Sequence, residues 1–335
     1  MMKYFLLLTL IFQFSATAEK IKVCATVTDM AALVEVIGGD QVEVTTFASA
    51  MGNPHYVIAK PNFIKDLSQA DMYIQTGFEL ESGWAPVLLK SCRNAKVQPN
   101  AIGHIDPSNV IKPLFELKGK LTRADGHVHP NGNPHYMMDP VNGLIVAYLI
   151  NSRLKVIRPE KAEYFNENTK KFQDKLINKL IGKKLASKYS TAKLARLIKL
   201  GKLEKFLELS KQEGDLGGWL GKVKANKNRK FLADHANYIY LVERFGMEVV
   251  AYLEPKPGMD PTTSHLMKLV KEVPSIKAQG IMTNSYYPAK YAQMIAKKTN
   301  LPILKLAHQV GSVKGCDTYL KMIDYNINQI LKAYK

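Results

Sequence analysis

Short runs rich in β-branched residues alternate with helical segments in two separate parts of the chain. In the first part, the predicted strands and helices cover residues 21–27, 29–37, 42–47, 61–67, 71–75 and 81–90. In the second part, they cover residues 229–233, 238–245, 247–252, 265–271, 280–283, 289–298, 303–306 and 319–333. Because such alternation is typical of parallel βαβ units, the sequence predicts an α/β fold with two (β/α) lobes, each built on a parallel sheet.

The stretch between these two parts is helical. Residues 141–154 read as one helix, Pro159 interrupts the pattern, and a second helix runs from Glu160 to about Ile181. At ~1.5 Å per residue, a helix of more than twenty residues is ~30 Å long. It would run the length of a lobe as a strut.

The first eighteen residues have the pattern of a secretory signal. Lys3 precedes an apolar run over residues 4–14, and Ala16-Thr17-Ala18 provides a small-residue cleavage site. No cysteine directly follows Ala18, so we expect no lipid anchor. The longest later apolar run, residues 144–150, is far shorter than the ~20 residues that a membrane helix needs. We therefore expect a soluble protein outside the cytoplasm, and not a membrane pore.

The three cysteines give no metal or disulfide motif. Cys24, Cys92 and Cys316 are scattered without C-x-x-C spacing. The sequence leaves open either one disulfide, with one thiol remaining, or buried free cysteines.

The net charge of +18 is uneven, since residues 151–230 hold 22 Lys and Arg against 8 Asp and Glu. Such a block could bind nucleic acid or an anionic membrane. However, Phe165, Phe172 and Leu176 recur at helical spacing and leave the lysines on the outer face, without the interleaved aromatic residues that base stacking uses. We interpret the block as a solvated helical face and expect no nucleic-acid partner. The chain also lacks the G-x-x-x-x-G-K-[ST] phosphate loop of an ATPase.

One pentapeptide occurs twice, eighty positions apart. Gly-Asn-Pro-His-Tyr ends at Tyr56 in the first copy and at Tyr136 in the second. Proline fixes its own φ and pushes the preceding asparagine towards extended conformations, so each copy displays its histidine from a loop. Neutral imidazole is a common zinc ligand, which makes His55 and His135 candidate metal ligands. The alternative is a pair of equivalent turns, each capped by a histidine.

The predicted fold indicates roles for the other histidines. Asp234-His235 comes directly after the strand at 229–233, and loops at the carboxyl ends of parallel strands form the ligand crevice, so His235 occupies in lobe two the position of His55 in lobe one. His127 and His129 lie in a stretch dense in turn formers, which predicts a mobile loop. They could capture metal transiently or simply be solvated. His104 is interpreted as structural, and His265, inside a predicted helix, as a surface or packing histidine.

With these motifs, the chain resembles the zinc and manganese solute-binding proteins of bacterial ABC transporters. The resemblance covers essentially the whole mature sequence. It rests on ordered motifs: Asn53-Pro54-His55-Tyr56 with Pro61, Asn133-Pro134-His135-Tyr136 with Asp139-Pro140, Asp234-His235 before Phe245-Gly246, Glu254-Pro255, and residues 319–326.

The resemblance implies two (β/α) lobes joined by a single long helix, with metal in the interlobe cleft. It implies metal ligands His55 and His135 from lobe one and His235 from lobe two, and a membrane permease as partner. We expect a monomer. The corresponding division is a signal peptide at 1–18, an N-terminal lobe at 19–158, a linker helix at 159–183 and a C-terminal lobe at 184–335.

The fourth ligand is where the sequence departs from the family pattern. Relatives usually supply an aspartate or glutamate from the last loops of lobe two, whereas residues 283–286 and 306–309 contain no carboxylate. His308 or water would fill the position. Three or four nitrogen ligands favour Zn2+, with Mn2+ or iron as alternatives that prefer more oxygen.

An enzyme is the rival interpretation, because three protein ligands and an open position also describe catalytic zinc. A secreted zinc hydrolase would need Glu254 or Asp234 as its general base, and the chain has no H-E-x-x-H motif. We therefore expect a binding protein and not an enzyme.

Overall fold

In the computed structural model, residues 19–115, 129–256 and 258–334 are described, and they contain two separate four-stranded sheets. The predicted signal segment 1–18 and His127 lie outside the described residues. The first sheet has the order β2-β1-β3-β4, with strands β1 (Ile21–Ala25), β2 (Val42–Thr46), β3 (Met72–Ile74) and β4 (His104–Ile105). The second has the order β6-β5-β7-β8, with strands β5 (Lys230–Ala233), β6 (Glu248–Tyr252), β7 (Ile281–Thr283) and β8 (Ile303–Lys305).

Every strand pair is parallel, and the two sheets repeat one topology. In the first sheet, Val23 pairs with Val44 on one side and with Met72 on the other. In the second, Leu232 of the equivalent inner strand pairs with Ala251 and Ile281. The predicted α/β fold with two parallel-sheet lobes is confirmed. Strand β4 was missed, because two residues are too few to show a pattern.

The helices follow the predicted segments closely. They are α1 (Thr28–Gly38), α2 (Pro61–Gln69), α3 (Ala85–Cys92), α4 (Pro140–Ile157), α5 (Ala162–Ile181), α6 (Lys183–Lys188), α7 (Thr191–Lys199), α8 (Leu203–Leu209), α9 (Gly218–Lys224), α10 (Ile239–Phe245), α11 (Thr263–Ile276), α12 (Ala289–Thr299) and α13 (Tyr319–Lys332). Helix α3 begins at Ala85 and not at residue 81, because the Glu81 carboxylate accepts hydrogen bonds from the backbone N–H groups of Thr76 and Gly77 and so belongs to the preceding turn.

Helix α5 is the long strut expected between the two sheets. Its buried side includes Phe165, Phe172 and Leu176, and Gly182 ends it with a φ of +86° that glycine adopts without strain. On this buried side α5 packs against α1 and α4 of the first sheet's lobe and against α9, which precedes the second sheet. The helix therefore contacts both lobes along its length.

One hydrophobic core runs through both lobes, with a smaller cluster behind each sheet. Tyr319 of α13 shows how closely the lobes pack: it is fully buried, its ring lies 6.3 Å from that of Phe172, and its hydroxyl donates to the Met137 carbonyl at 2.7 Å. A Cβ atom at Gly143 of α4 would lie 2.4 Å from the Tyr319 ring. A shared core of this density makes the two lobes one packed unit.

All three cysteines are free and buried, which decides between the two possibilities left open by the sequence. Burial raises the pKa of the Cys24 thiol to about 12, so it is unreactive at neutral pH. Across the described ranges, none of the helices is both long and apolar enough to cross a membrane.

A buried ion pair joins the lobes beside the second histidine loop. The Arg244 guanidinium of α10 donates from Nε and Nη2 to the two carboxylate oxygens of Asp139, each at 2.8 Å. The Asp139 side chain is 7% exposed, and its Oδ1 also caps α4 by accepting from the Val141 N–H. Burial raises the pKa of Asp139 even with Arg244 beside it. The pair therefore holds lobe two against the start of α4.

We expect Arg244→Met to lower the free energy of unfolding by about 3–5 kcal/mol, because it leaves the Asp139 carboxylate buried without its partner. Urea denaturation of the metal-free protein measures the change. Lys171→Met is the matched control, since it removes an exposed pair with Glu167 at 3.6 Å and should change the free energy by less than about 1 kcal/mol. Equal effects of the two substitutions would show that the Asp139 pair does not hold the lobes together.

Candidate metal centre

The repeated pentapeptide folds in the same way in both copies. The Asn53 side-chain oxygen accepts from the His55 backbone N–H at 3.1 Å, and the Asn133 oxygen accepts from the His135 N–H at 2.9 Å. Each asparagine thus closes a turn on the residue two positions later. His55 lies in the loop between β2 and α2, and His135 lies in the loop that leads into α4.

The second copy is also tied to lobe two. The Asn133 side-chain NH2 donates to the Ala236 carbonyl at 2.8 Å, and Asn133 itself is buried. Ala236 follows His235, which comes two residues after the end of β5. This bond places the loop that carries His135 beside the loop that carries His235.

The His135 ring lies close to the rings of the other two predicted ligands. The ring centroids of His55 and His135 are 5.4 Å apart, and those of His135 and His235 are 6.1 Å apart. Two imidazoles on one tetrahedral zinc, with Zn–N bonds of ~2.0–2.1 Å, have ring centroids roughly 5 Å apart. Within the described ranges, no three His, Cys, Asp or Glu side chains already converge closely enough to hold a metal ion. Joint ligation by these rings therefore requires them to move closer together.

The His135 ring has the properties of a metal ligand. Its Nε2 atom is buried and has no hydrogen-bond partner among the described residues, which is unfavourable for a polar atom. Burial, and then the neighbouring His55 and His235, hold the pKa of His135 well below its usual 6.5. The ring is therefore neutral at physiological pH, which is the form that binds metal.

His235 is held by a carboxylate that the sequence did not connect to it. Its Nδ1 lies 2.6 Å from Oε2 of Glu254, and the Tyr287 ring stacks on the imidazole with centroids 5.6 Å apart. Glu254 comes two residues after the end of β6, the strand beside β5, so both side chains lie at the same edge of the sheet. This position was a signal available in the sequence.

Asp234, by contrast, makes its side-chain hydrogen bonds to the backbone. Its two carboxylate oxygens accept from the N–H groups of His235 and Asn284, at 2.7 and 2.9 Å. Burial raises the pKa of Asp234 to about 8. The side chain joins the ends of β5 and β7 and is already occupied there.

His308 lies in the cleft, but its ring nitrogens have protein neighbours. Nε2 is 3.3 Å from the Gly52 carbonyl of lobe one, and Nδ1 is 3.3 Å from the Ser285 hydroxyl of lobe two. Burial lowers the pKa of His308 to about 4. A small cavity of about 30 Å³ is lined by His308, His135 and Asp29 among others, so the imidazoles of His308 and His135 border the same space.

The remaining described histidines have different surroundings. The His129 ring centroid is 4.9 Å from that of His55, a proximity that the sequence did not predict. His104 and His265 contact backbone carbonyls, of Val97 at 2.8 Å and Tyr252 at 3.2 Å. These contacts fit the structural role predicted for His104 and the packing role predicted for His265.

Comparison with known proteins gives the family. A sequence model of the family described as "Zinc-uptake complex component A periplasmic" matches residues 23–195 and 206–333. The chain is 22% identical over 325 residues to the manganese ABC transporter substrate-binding lipoprotein PsaA of Streptococcus mitis, covering 95% of this chain and 91% of PsaA.

Two solved structures share the fold. The crystal structure of ZnuA has a TM-score of 0.69 at 18% identity and covers 95% of this chain and 100% of ZnuA. The structure of FpvC from Pseudomonas aeruginosa in complex with Mn2+ has a TM-score of 0.65 at 19% identity and covers 94% and 98%. At these identities the structures show the fold alone. The sequence match, which covers most of the chain, shows that this protein belongs to the zinc-uptake complex component A family, the metal-binding substrate-binding proteins of ABC transporters, and that it is not an enzyme.

Proposed function

We propose that this protein binds Zn2+ in the cleft between its lobes and delivers it to the permease of an ABC transporter. His55 and His135 are the ligands from lobe one, and His235 is the ligand from lobe two. The observation that carries the proposal is the buried, unpartnered Nε2 of the neutral His135 ring, with an imidazole from each lobe on either side. A metal ion is the ligand that this nitrogen lacks.

The nitrogen donors favour zinc over manganese. Zinc readily accepts three or four imidazoles in tetrahedral geometry, whereas manganese prefers carboxylate, carbonyl and water oxygens. Glu254 and Asp234, the carboxylates near His235, are engaged with protein N–H and O–H groups. Manganese is the second candidate, because PsaA is named for manganese and FpvC was solved with Mn2+.

The protein acts outside the cytoplasm in this proposal. The segment 1–18 serves as a signal peptide cleaved after Ala18, and the mature chain works in the periplasm as a monomer. Residues 19–158 and 184–335 form the two metal-binding lobes, with 159–183 as the linker helix. The family description and the signal pattern of the sequence support this location.

We expect each of the three proposed ligands to be needed for zinc binding. His55→Ala, His135→Ala and His235→Ala should each weaken zinc binding by orders of magnitude, since each removes one Zn–N bond. Isothermal titration against a competing chelator measures the affinity, and parallel titration with Mn2+ tests the choice of metal. His104→Ala and His265→Ala are matched controls and should bind zinc normally. Native affinity in any of the three ligand variants would remove that residue from the site.

We assign the fourth coordination position of the metal to His308 or water. If His308 ligates, it must leave the Gly52 carbonyl, and His308→Ala should lower zinc affinity and admit a water to the metal. X-ray absorption of the zinc-loaded protein would then change from four nitrogen ligands to three nitrogens and one oxygen. Three nitrogens plus solvent in both proteins would assign the position to water.

We also expect the stability of the metal-free protein to depend on pH. His135 has a folded-state pKa below its unfolded value, so the unfolded chain takes up a proton first as pH falls. The stability that the neutral ring contributes is complete above about pH 6.5 and is lost progressively below it. In the metal-free protein, NMR should show the His135 ring neutral from pH 7 to pH 5.5, while the melting temperature falls across that range. A His135 ring that titrates near pH 6.5 would contradict the burial argument.

A further inference from the structure

A buried carboxylate lies directly behind one of the proposed ligands. Glu254 is 8% exposed and accepts hydrogen bonds on both oxygens. Oε2 lies 2.6 Å from Nδ1 of His235 and accepts from the Gly258 N–H at 3.3 Å, and Oε1 accepts from the Tyr287 hydroxyl. Both oxygens of the Glu254 carboxylate therefore act as hydrogen-bond acceptors.

The carboxylate determines which His235 nitrogen carries the proton. An ionised carboxylate can only accept, so the hydrogen between Oε2 and Nδ1 must be on Nδ1. In a neutral imidazole the other nitrogen then has the free lone pair. His235 is therefore held with Nε2 ready to bind a metal, before any metal arrives.

Several contacts fix the position of Glu254 relative to His235. The Glu254 backbone N–H donates to the Asp234 carbonyl at 3.2 Å, which pairs the ends of β6 and β5. The Tyr287 ring stacks on His235, and its backbone N–H donates to the Asn284 side chain at 3.3 Å. The hydroxyl and the ring of Tyr287 thus contact the two members of the pair at once. Such restraint is what fixes the orientation of a metal-binding imidazole.

The pair also places negative charge near the metal without placing an oxygen on it. Three neutral imidazoles leave the full charge of a divalent ion uncompensated, and burying a charge is costly. The Glu254 carboxylate offsets part of that charge through His235 and makes the imidazole a stronger donor. Because nitrogen donors suit zinc better than manganese, this arrangement strengthens zinc binding more than manganese binding.

We infer that Glu254, held by Tyr287, is a positioning residue that fixes the tautomer of His235 and raises the selectivity of the site for zinc over manganese. The inference rests on the proposed function, since it concerns one ligand of that site. Glu254 is not itself a metal ligand, because His235 lies between its carboxylate and the proposed position of the ion.

The test combines two readouts on the full mature protein. Long-range 1H–15N NMR of the metal-free native protein should show His235 protonated on Nδ1 only, and Glu254→Gln should give a mixture of tautomers. By competition titration, Glu254→Gln should weaken zinc binding about 10–100-fold and reduce the ratio of zinc to manganese affinity. Tyr287→Phe keeps the stacked ring and should weaken zinc binding less. Glu272→Gln is the matched control, because the Glu272 side chain on α11 is 46% exposed and its substitution should change neither readout.

The outcomes distinguish failure of this inference from failure of the proposed function. Native-like zinc affinity and selectivity in Glu254→Gln, together with weakened binding in His235→Ala, would overturn this inference and leave the proposed function standing. Absence of metal binding by the native protein would instead overturn the proposed function. If Glu254→Gln does not fold, the native protein alone still decides, because a His235 protonated on Nε2 contradicts the inference.

Discussion

The site depends on the contact between the loop at 132–138 and the second lobe. The amide of Asn133 reaches the Ala236 carbonyl, and Asp139, at the start of α4, forms the buried pair with Arg244. Between these two contacts lies His135, whose buried ring is therefore fixed relative to His235 on the other lobe. These contacts, together with the shared core, set the spacing between the histidines of the two lobes.

Further contacts oppose separation of the two lobes. The lobes share one hydrophobic core, and their facing edges are joined again where Asp29 of α1 accepts from the Val310 N–H at 2.7 Å and where Gln309 donates to the Ser49 carbonyl at 3.2 Å. Separating the lobes as rigid bodies would break this core and several buried hydrogen bonds, each costly to leave unmade.

Much of this architecture could be predicted from the sequence. The two alternating regions predicted both parallel sheets, because βαβ units leave a strong local pattern, and the repeated pentapeptide indicated His55 and His135 because its Asn and Pro dictate a local turn. The contact of His308 with Gly52 across the cleft could not be predicted, since it joins residues far apart in the chain. The pairing of Glu254 with His235 had a signal, because both residues follow the ends of neighbouring strands. Strand β4 was missed because two residues are too few to show a pattern. The proximity of His129 to His55 was missed because tertiary packing, and not local sequence, creates it.

The central claim is that one zinc ion is held by imidazoles from both lobes. A crystal structure of the zinc-loaded protein, with anomalous diffraction recorded on both sides of the zinc absorption edge, tests it most directly. The account predicts a single strong zinc peak within bonding distance of the side-chain nitrogens of His55, His135 and His235, with the Glu254 carboxylate still on Nδ1 of His235. A zinc peak elsewhere, or one bound only by residues of a single lobe, would contradict it.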